Sequence, residues 1–160
     1  MHDIASELPL VFPAHPRTQK RMEENGIAVD SQRVRLIDPL GYLDFLLLEA
    51  EASLVLTDSG GIQEETTILG VPCLTLRENT ERPITITHGT NTLVGLDPDA
   101  IRRAAQRVLR SQARPSAPPL WDGRTSERIA SILLLGTREV CWLPPSRQAP
   151  NARVAAAENR

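Results

Sequence analysis

Short apolar runs alternate with segments of helical character along most of this chain. The runs that predict strands are residues 8–12, 34–37, 54–56, 71–76 and 92–94. The segments that predict helices are residues 17–25, 40–51, 62–69, 97–109 and 124–135. Because strand and helix alternate, we predict an α/β fold with a Rossmann-like parallel sheet and flanking helices.

Two of the predicted helices carry clear local signals. The segment 40–51 has an apolar face at spacings of three and four, which consists of Leu43, Leu46, Leu47 and Ala50. The segment 97–109 begins at Asp97-Pro98, where the aspartate can cap free amides and proline suits the first helical position. These signals predict helices with defined faces and starts.

The composition is that of an ordinary globular protein, with 41% hydrophobic and 24% charged residues among 160. One compact domain is expected at this length. The formal net charge of −2 argues against a nucleic-acid partner, because such proteins are usually basic. Only 3% of the residues are aromatic, so Leu, Ile, Val and Ala must form the core.

The sequence pattern gives no sign of a membrane or secreted protein. No apolar run approaches the roughly 18 residues of a membrane-spanning helix. Asp3 and Glu7 lie where a signal peptide would be apolar. Cys73 and Cys141 have no metal-ligand spacing and are too few for a disulfide framework. We therefore expect a cytoplasmic protein without a membrane partner.

Loops that leave the predicted strands are the candidate binding sites, because ligands of open α/β sheets bind at the carboxyl ends of strands. The loops with distinctive compositions are residues 13–17, 38–42, 58–61 and 77–83. In the third loop, Gly60 and Gly61 let a ligand approach the backbone, and the amides of the following helical turn favour an anion. This predicts a phosphate site with Ser59 as an additional donor. The alternative is a tight turn in which Ser59 caps the helix.

Charged residues near that loop are the other candidate contacts. Glu65 lies one turn into the helix, where its carboxylate can accept hydrogen bonds from vicinal ribose hydroxyls or only interact with the helix dipole. Its neighbour Glu64 is predicted to be a solvated surface charge. Arg77 and Arg82 offer donors suited to phosphate, although either can instead pair with a glutamate of the same loop.

Several motifs in combination resemble one enzyme family. Residues 38–95 contain TDSGGIQEE, ENTERP and GTN, and the segments HPRTQKRM and LWDGRTSERI lie on either side. At these spacings the combination resembles the C-terminal domain of the non-hydrolysing UDP-N-acetylglucosamine 2-epimerases. The similarity extends over residues 8–135.

The resemblance implies the C-terminal half of a glycosyltransferase-B-like fold, with a UDP-sugar substrate between two domains. The family interconverts UDP-N-acetylglucosamine and UDP-N-acetylmannosamine by eliminating UDP and adding it back to a glycal, without metal or nicotinamide. We therefore expect no cofactor. The residues implied to bind UDP are Ser59, Gly60 and Gly61 at the diphosphate, Glu65 at the ribose, Arg82 in the cleft, and Leu40 and Phe45 at the uracil. Phe45 can equally belong to the core.

The family's acid/base carboxylates and active-site histidine belong to a region that this chain does not match, so we expect no catalytic residue in it. Residues 1–136 are expected to form a UDP-binding domain that is inactive alone, and residues 137–160 a disordered tail. A separately encoded N-terminal domain and a homodimer are both compatible with the resemblance. Two other functions stay open: a UDP-sugar glycosyltransferase domain and a noncatalytic UDP-binding domain.

Overall fold

Residue 4 and residues 8–111 and 117–135 are described by a computed structural model of the chain. The strands in these ranges are β1 (Leu10–Pro13), β2 (Val34–Ile37), β3 (Val55–Thr57), β4 (Cys73–Thr75) and β5 (Asn91–Leu93). The helices are α1 (Pro16–Glu24), α2 (Tyr42–Glu51), α3 (Gly60–Leu69), α4 (Pro83–Thr87), α5 (Pro98–Arg110) and α6 (Thr125–Leu135). Each predicted strand and helix is therefore confirmed, with small shifts at the ends.

The strand pairs of the described residues are parallel, as predicted. β1 pairs with β2, and β4 lies between β3 and β5 in a second sheet, where Val55 and Asn91 both align with Cys73. Neighbouring parallel strands end at the same edge of a sheet. The loops at 58–61 and 77–83, which follow β3 and β4, therefore leave the sheet at the same edge.

The apolar core of the first compact unit lies where α5 packs against β4. Leu74 at the middle of β4 is fully buried, and it packs with Ala104 and Ala105 of α5. Asp97 accepts hydrogen bonds from two backbone amides in the first turn of α5, which confirms the predicted start of that helix. Aliphatic side chains thus fill the space that aromatic rings fill in many other domains.

The apolar face predicted for α2 is not the face that this helix buries. Leu43 and Leu47 are 77% and 61% exposed, whereas Glu49 is only 3% exposed. α2 packs against α3, and the covered side of α2 carries Glu49 together with the half-buried Phe45. The apolar spacing identified the helix correctly, but the contact with α3 determines which side is covered.

The short helix α4 begins at the last residue of the loop predicted at 77–83, and no helix was predicted there. It begins at Pro83, with Arg82 at the N-cap position, and consists largely of Ile and Thr, which have modest helix propensity. Thr85 is fully buried, and its Oγ1 donates a hydrogen bond to the Arg82 carbonyl at 2.7 Å. Contacts of α4 with α3 and β5 therefore stabilise a helix that local sequence does not predict.

A second compact unit begins at Pro119. In its described part, Arg124 pairs with Glu127 at 2.7 Å, and Arg128 pairs with Asp122. These ion pairs tie the turn before α6 to the first turns of that helix. The tail predicted at 137–160 lies outside the described residues.

Candidate functional site

The loop between β3 and α3 forms a turn lined by backbone atoms. Ser59 occupies the N-cap position of α3, yet its side chain makes no capping hydrogen bond. The Ser59 amide instead donates to Thr57 Oγ1 at 3.0 Å, which fixes the turn. Ser59 is therefore the N-cap residue by position, as the alternative had it, but its hydroxyl does not cap the helix. Its hydroxyl and the first amides of α3 can serve an anion, because the opening amides of a helix have no partner within it.

Neither close packing nor backbone conformation in the described protein requires glycine at positions 60 and 61. A Cβ on Gly60 would lie 3.9 Å from Glu81 Oε2, and a Cβ on Gly61 would lie 3.9 Å from Ser59 Oγ. Neither glycine has the positive φ that occurs at Gly70. Glycine within a helix costs roughly 1 kcal/mol relative to alanine. A ligand that lies directly against this backbone would account for both glycines.

A buried polar network fixes the segments around this turn. Gln63 of α3 is fully buried, and its Oε1 accepts hydrogen bonds from Thr80 Oγ1 at 2.6 Å and from Asn91 Nδ2 at 3.1 Å. Thr75 Oγ1 donates to Asn91 Oδ1 at 2.6 Å, and Asn91 Nδ2 also contacts Thr85 Oγ1 at 3.2 Å. Buried polar groups are costly unless they are paired in this way.

The network explains why three motifs occur together. Gln63 belongs to TDSGGIQEE, Thr80 to ENTERP and Asn91 to GTN, so one amide oxygen joins all three segments. Sequence reasoning does not find Gln63, because a glutamine inside a polar helix usually faces solvent. The joint occurrence of the motifs is the signal that could have identified it.

Arg82 and Arg77 make different ion pairs. Arg82 Nε lies 2.9 Å from Glu64 Oε1 of α3, although without the in-line geometry of a hydrogen bond. Glu64 is partly exposed, as expected of a solvated surface charge, but it is paired with Arg82. Arg77 pairs with Glu81 in its own loop at 3.0 Å, and its hydrogen bond lowers the pKa of that carboxyl. Arg82 is thus the arginine of this loop that reaches α3.

Glu65 and Glu49 bring two carboxyl groups together where α3 packs on α2. Glu65 is half-buried, and Glu49 is almost fully buried. Burial is the main cause that raises the pKa of Glu49 to about 7, and the neighbouring Glu65 raises it further. Sequence reasoning does not find Glu49. Its position four residues after Phe45 is the available signal, because that spacing places both on one side of the helix.

Leu40 and Phe45 lie on either side of the start of α2. Leu40 is 39% exposed in the loop after β2, while Phe45 is half-buried in the first turn of the helix. The Phe45 amide donates to the Gly41 carbonyl at 2.9 Å. Since α2 packs against α3, Phe45 belongs to an element that adjoins the helix of the glycine turn. The contact of both side chains with a base stays a prediction.

A cleft of about 600 Å³ lies between β5 and α5. Its lining includes Arg77, Arg103 and Arg107, but none of the residues of the glycine turn. Arg77 pairs with Glu81, and Arg103 lies 3.7 Å from Asp97. These pairs partly neutralise the cleft, and we assign no ligand to it.

The described residues give no support for a metal site, a reactive cysteine or a membrane-spanning helix. In the described ranges, no three His, Cys, Asp or Glu side chains are placed to hold a metal ion. Cys73 is a buried free thiol, and burial raises its pKa, which disfavours the reactive thiolate. The helices of the same ranges include none that is long and apolar enough to span a bilayer.

Parallel strands with flanking helices define an α/β domain, and a glycine turn at the start of a helix is a feature that many phosphate-binding α/β domains share. A family profile identifies which α/β proteins this chain is related to. A sequence profile described as UDP-N-acetylglucosamine 2-epimerase matches residues 1–134. The chain belongs to this family, as the motifs predicted, and its parallel α/β architecture agrees with the predicted fold class.

Individual relatives agree with the family assignment. The UDP-N-acetylglucosamine 2-epimerase of Methanocaldococcus jannaschii is 45% identical over 130 residues, which cover 79% of this chain and 35% of the relative. Its crystal structure in complex with UDP-GlcNAc and UDP matches 84% of this chain and 38% of that one, with a TM-score of 0.74 and 42% identity. A UDP-2,3-diacetamido-2,3-dideoxy-D-glucuronate 2-epimerase of Pseudomonas aeruginosa is 40% identical over 125 residues, which cover 78% of this chain and 34% of the relative. The chain thus spans about a third of the length of these relatives.

Proposed function

We propose that this chain is the UDP-binding part of a UDP-N-acetylglucosamine 2-epimerase. The complete enzyme would interconvert UDP-N-acetylglucosamine and UDP-N-acetylmannosamine by elimination and re-addition of UDP. The observation that carries the proposal is the pair of glycines at positions 60 and 61, which have no steric or conformational reason within the described protein. A diphosphate against the backbone supplies that reason.

The roles of the remaining residues follow from their positions. The Ser59 hydroxyl and the opening amides of α3 donate to the diphosphate, and Arg82 adds positive charge from the adjacent loop. The Glu65 carboxylate, one turn further into α3, accepts hydrogen bonds from the ribose hydroxyls. Leu40 and Phe45 frame the uracil. No group of this set is assigned to proton transfer, so the acid and base come from another part of the enzyme.

The sugar is less defined than the nucleotide. The relatives from M. jannaschii and P. aeruginosa are named for different sugars, and UDP is the part that both names share. Both are similar to this chain over most of its length. The recognition of UDP is therefore the function that we assign to this region, and the choice of sugar depends on residues outside it as well.

Replacing Gly61 by alanine is expected to weaken UDP binding about tenfold, because the added methyl group would occupy the space of the diphosphate. The fold should not suffer, since the nearest atom to that methyl group is 3.9 Å away. Titration of UDP followed by NMR of the backbone amides measures this binding even when it is weak. Urea unfolding of the same sample measures stability.

The matched control is Gly26→Ala at the end of α1. Gly26 has a φ of +63°, so alanine there should cost about 1 kcal/mol of stability and leave UDP binding unchanged. The two variants thus have opposite effects on binding and stability. Equal UDP affinity of Gly61→Ala and the unmodified chain would contradict the proposed diphosphate site.

Turnover provides a second test of the proposal. The chain alone is expected to show no epimerase activity with UDP-N-acetylglucosamine, because its described UDP site lacks an assigned acid and base. The chain should be assayed alone and after mixing with the remaining part of the M. jannaschii enzyme. Epimerisation that appears only in the mixture supports the proposal, and turnover by the chain alone contradicts it.

Assays of the same mixture for sugar transfer and for UDP binding distinguish the two other functions from the epimerase. Transfer of the sugar to an acceptor would favour a glycosyltransferase domain. Binding of UDP that is unaffected by any partner, without turnover, would favour a noncatalytic UDP-binding domain. No specific observation in the structure favours either one over the epimerase.

A further inference from the structure

Glu49 is a buried acid with no donor to satisfy it. The residue is 3% exposed, and no donor among the described residues hydrogen-bonds to either of its carboxyl oxygens. Desolvation strongly destabilises a charged carboxylate in such a place, whereas it destabilises a neutral carboxyl much less. The surroundings therefore favour the protonated form, which carries a hydroxyl that can donate.

The groups that face Glu49 come from the elements packed around it. Glu65 of α3 is close enough to share a hydrogen bond, and the thiol of Cys73 in β4 interacts electrostatically with Glu49. Both are acids, so neither supplies the positive charge that would stabilise a second carboxylate. Together with burial, Glu65 raises the pKa of Glu49 to about 7.

Two adjacent carboxyl groups without a cation hold a single proton between them. Glu49 is almost fully buried, while Glu65 is only half-buried at the edge of the glycine turn. Because burial disfavours the charged form, the proton of the pair resides mainly on the more deeply buried Glu49. In this arrangement the only acceptor assigned to the Glu49 hydroxyl is a Glu65 oxygen.

We propose that Glu49 is a positioning residue, whose neutral carboxyl donates a hydrogen bond to Glu65 and orients that carboxylate toward the ribose hydroxyls of a uridine nucleotide. This inference rests on the proposed role of Glu65 in ribose binding. One oxygen of Glu65 takes the hydrogen bond from Glu49, and its remaining lone pairs accept from the ribose. Loss of the Glu49 proton removes the donor and adds repulsion between the two carboxylates.

The test uses UDP-N-acetylglucosamine, because its diphosphate diester does not titrate near neutral pH. Affinity of the unmodified chain should fall about fivefold between about pH 6 and about pH 8, on either side of the Glu49 pKa of about 7. Glu49→Gln keeps a donor at both pH values, so its affinity should change less than twofold. Glu49→Leu has no donor and should bind about fivefold more weakly at both values.

The control for surface charge is Glu51→Gln, which removes an exposed carboxylate from the same helix and should keep the pH profile of the unmodified chain. Thermal unfolding checks that each variant is folded. Infrared spectroscopy should show a protonated carboxyl band at about pH 6 that Glu49→Gln lacks. This band depends on Glu49 alone and not on any ligand.

The outcomes separate this inference from the proposed function. Binding with the same pH dependence in Glu49→Gln as in the unmodified chain overturns the positioning role while UDP recognition stands. Full affinity in Glu49→Leu also overturns it. Failure of the unmodified chain to bind at any pH, with the infrared band present, overturns the proposed function and the role of Glu49 that depends on it.

Discussion

Alanine at position 89 should lower the free energy of unfolding by about 3 kcal/mol. A Cβ on Gly89 would lie 2.5 Å from Thr67 Oγ1 and from the Thr85 carbonyl oxygen, and 2.7 Å from Thr67 Cγ2. These atoms have little freedom to move away. Thr67 is buried and donates to the Gln63 carbonyl at 2.8 Å, and the Thr85 oxygen is part of the α4 backbone. Urea unfolding of both proteins measures the difference.

The control for this substitution is Gly61→Ala. Its Cβ would lie 3.9 Å from Ser59 Oγ, so the same chemical change should not lower stability and should raise it by up to about 1 kcal/mol. A loss of similar size in both variants would mean that helix and loop propensities, and not the close approach of Gly89 to α3, determine the result. A loss restricted to Gly89→Ala locates the cost at that contact.

The second large effect is a pH dependence of stability that comes from Glu49. The pKa of this carboxyl rises from an ordinary 4.5 to about 7 in the folded protein, which corresponds to about 3 kcal/mol. Below pH 4.5 both the folded and the unfolded chain hold the proton, so the carboxyl makes no pH-dependent contribution to stability. As the pH rises, the unfolded chain loses its proton first. Stability therefore decreases until the pH exceeds about 7 and is then constant.

Glu49→Gln isolates this contribution because an amide does not titrate in that range. Relative to the unmodified chain, the variant should gain about 3 kcal/mol in unfolding free energy between about pH 4 and about pH 8. Glu51→Gln serves as the control, since that exposed carboxylate lies on the same helix and should give a nearly flat difference. A flat difference for Glu49→Gln as well would show that Glu49 is ionised in the folded protein at neutral pH.

Local sequence was sufficient for much of the fold. Asp97-Pro98 predicted the start of α5, where the cap is observed, and the apolar runs predicted all five described strands. These features depend on neighbouring residues alone. The turn between β3 and α3 was also predicted, because two glycines directly after an apolar run mark a change from strand to helix, whereas its binding of phosphate stays a prediction.

Features that depend on tertiary contacts could not be predicted from neighbouring residues in the sequence. The buried side of α2 is set by packing against α3, so apolar spacing could not show that Leu43 is exposed and Glu49 buried. The ion pair between Glu64 and Arg82 joins residues from α3 and the loop after β4, and no local rule links them. The pairing of Glu49 with Glu65 likewise arises only when two helices meet.

The hydrogen bonds around Gln63 determine how the segments around the glycine turn respond to acidity and salt. Gln63, Thr80 and Asn91 are amides and a hydroxyl, so none of them gains or loses a proton near neutrality. Their bonds involve no net charges, and dissolved salt therefore screens them little. These hydrogen bonds therefore join α3 to the loop that carries Arg82 by contacts that depend little on acidity and ionic strength.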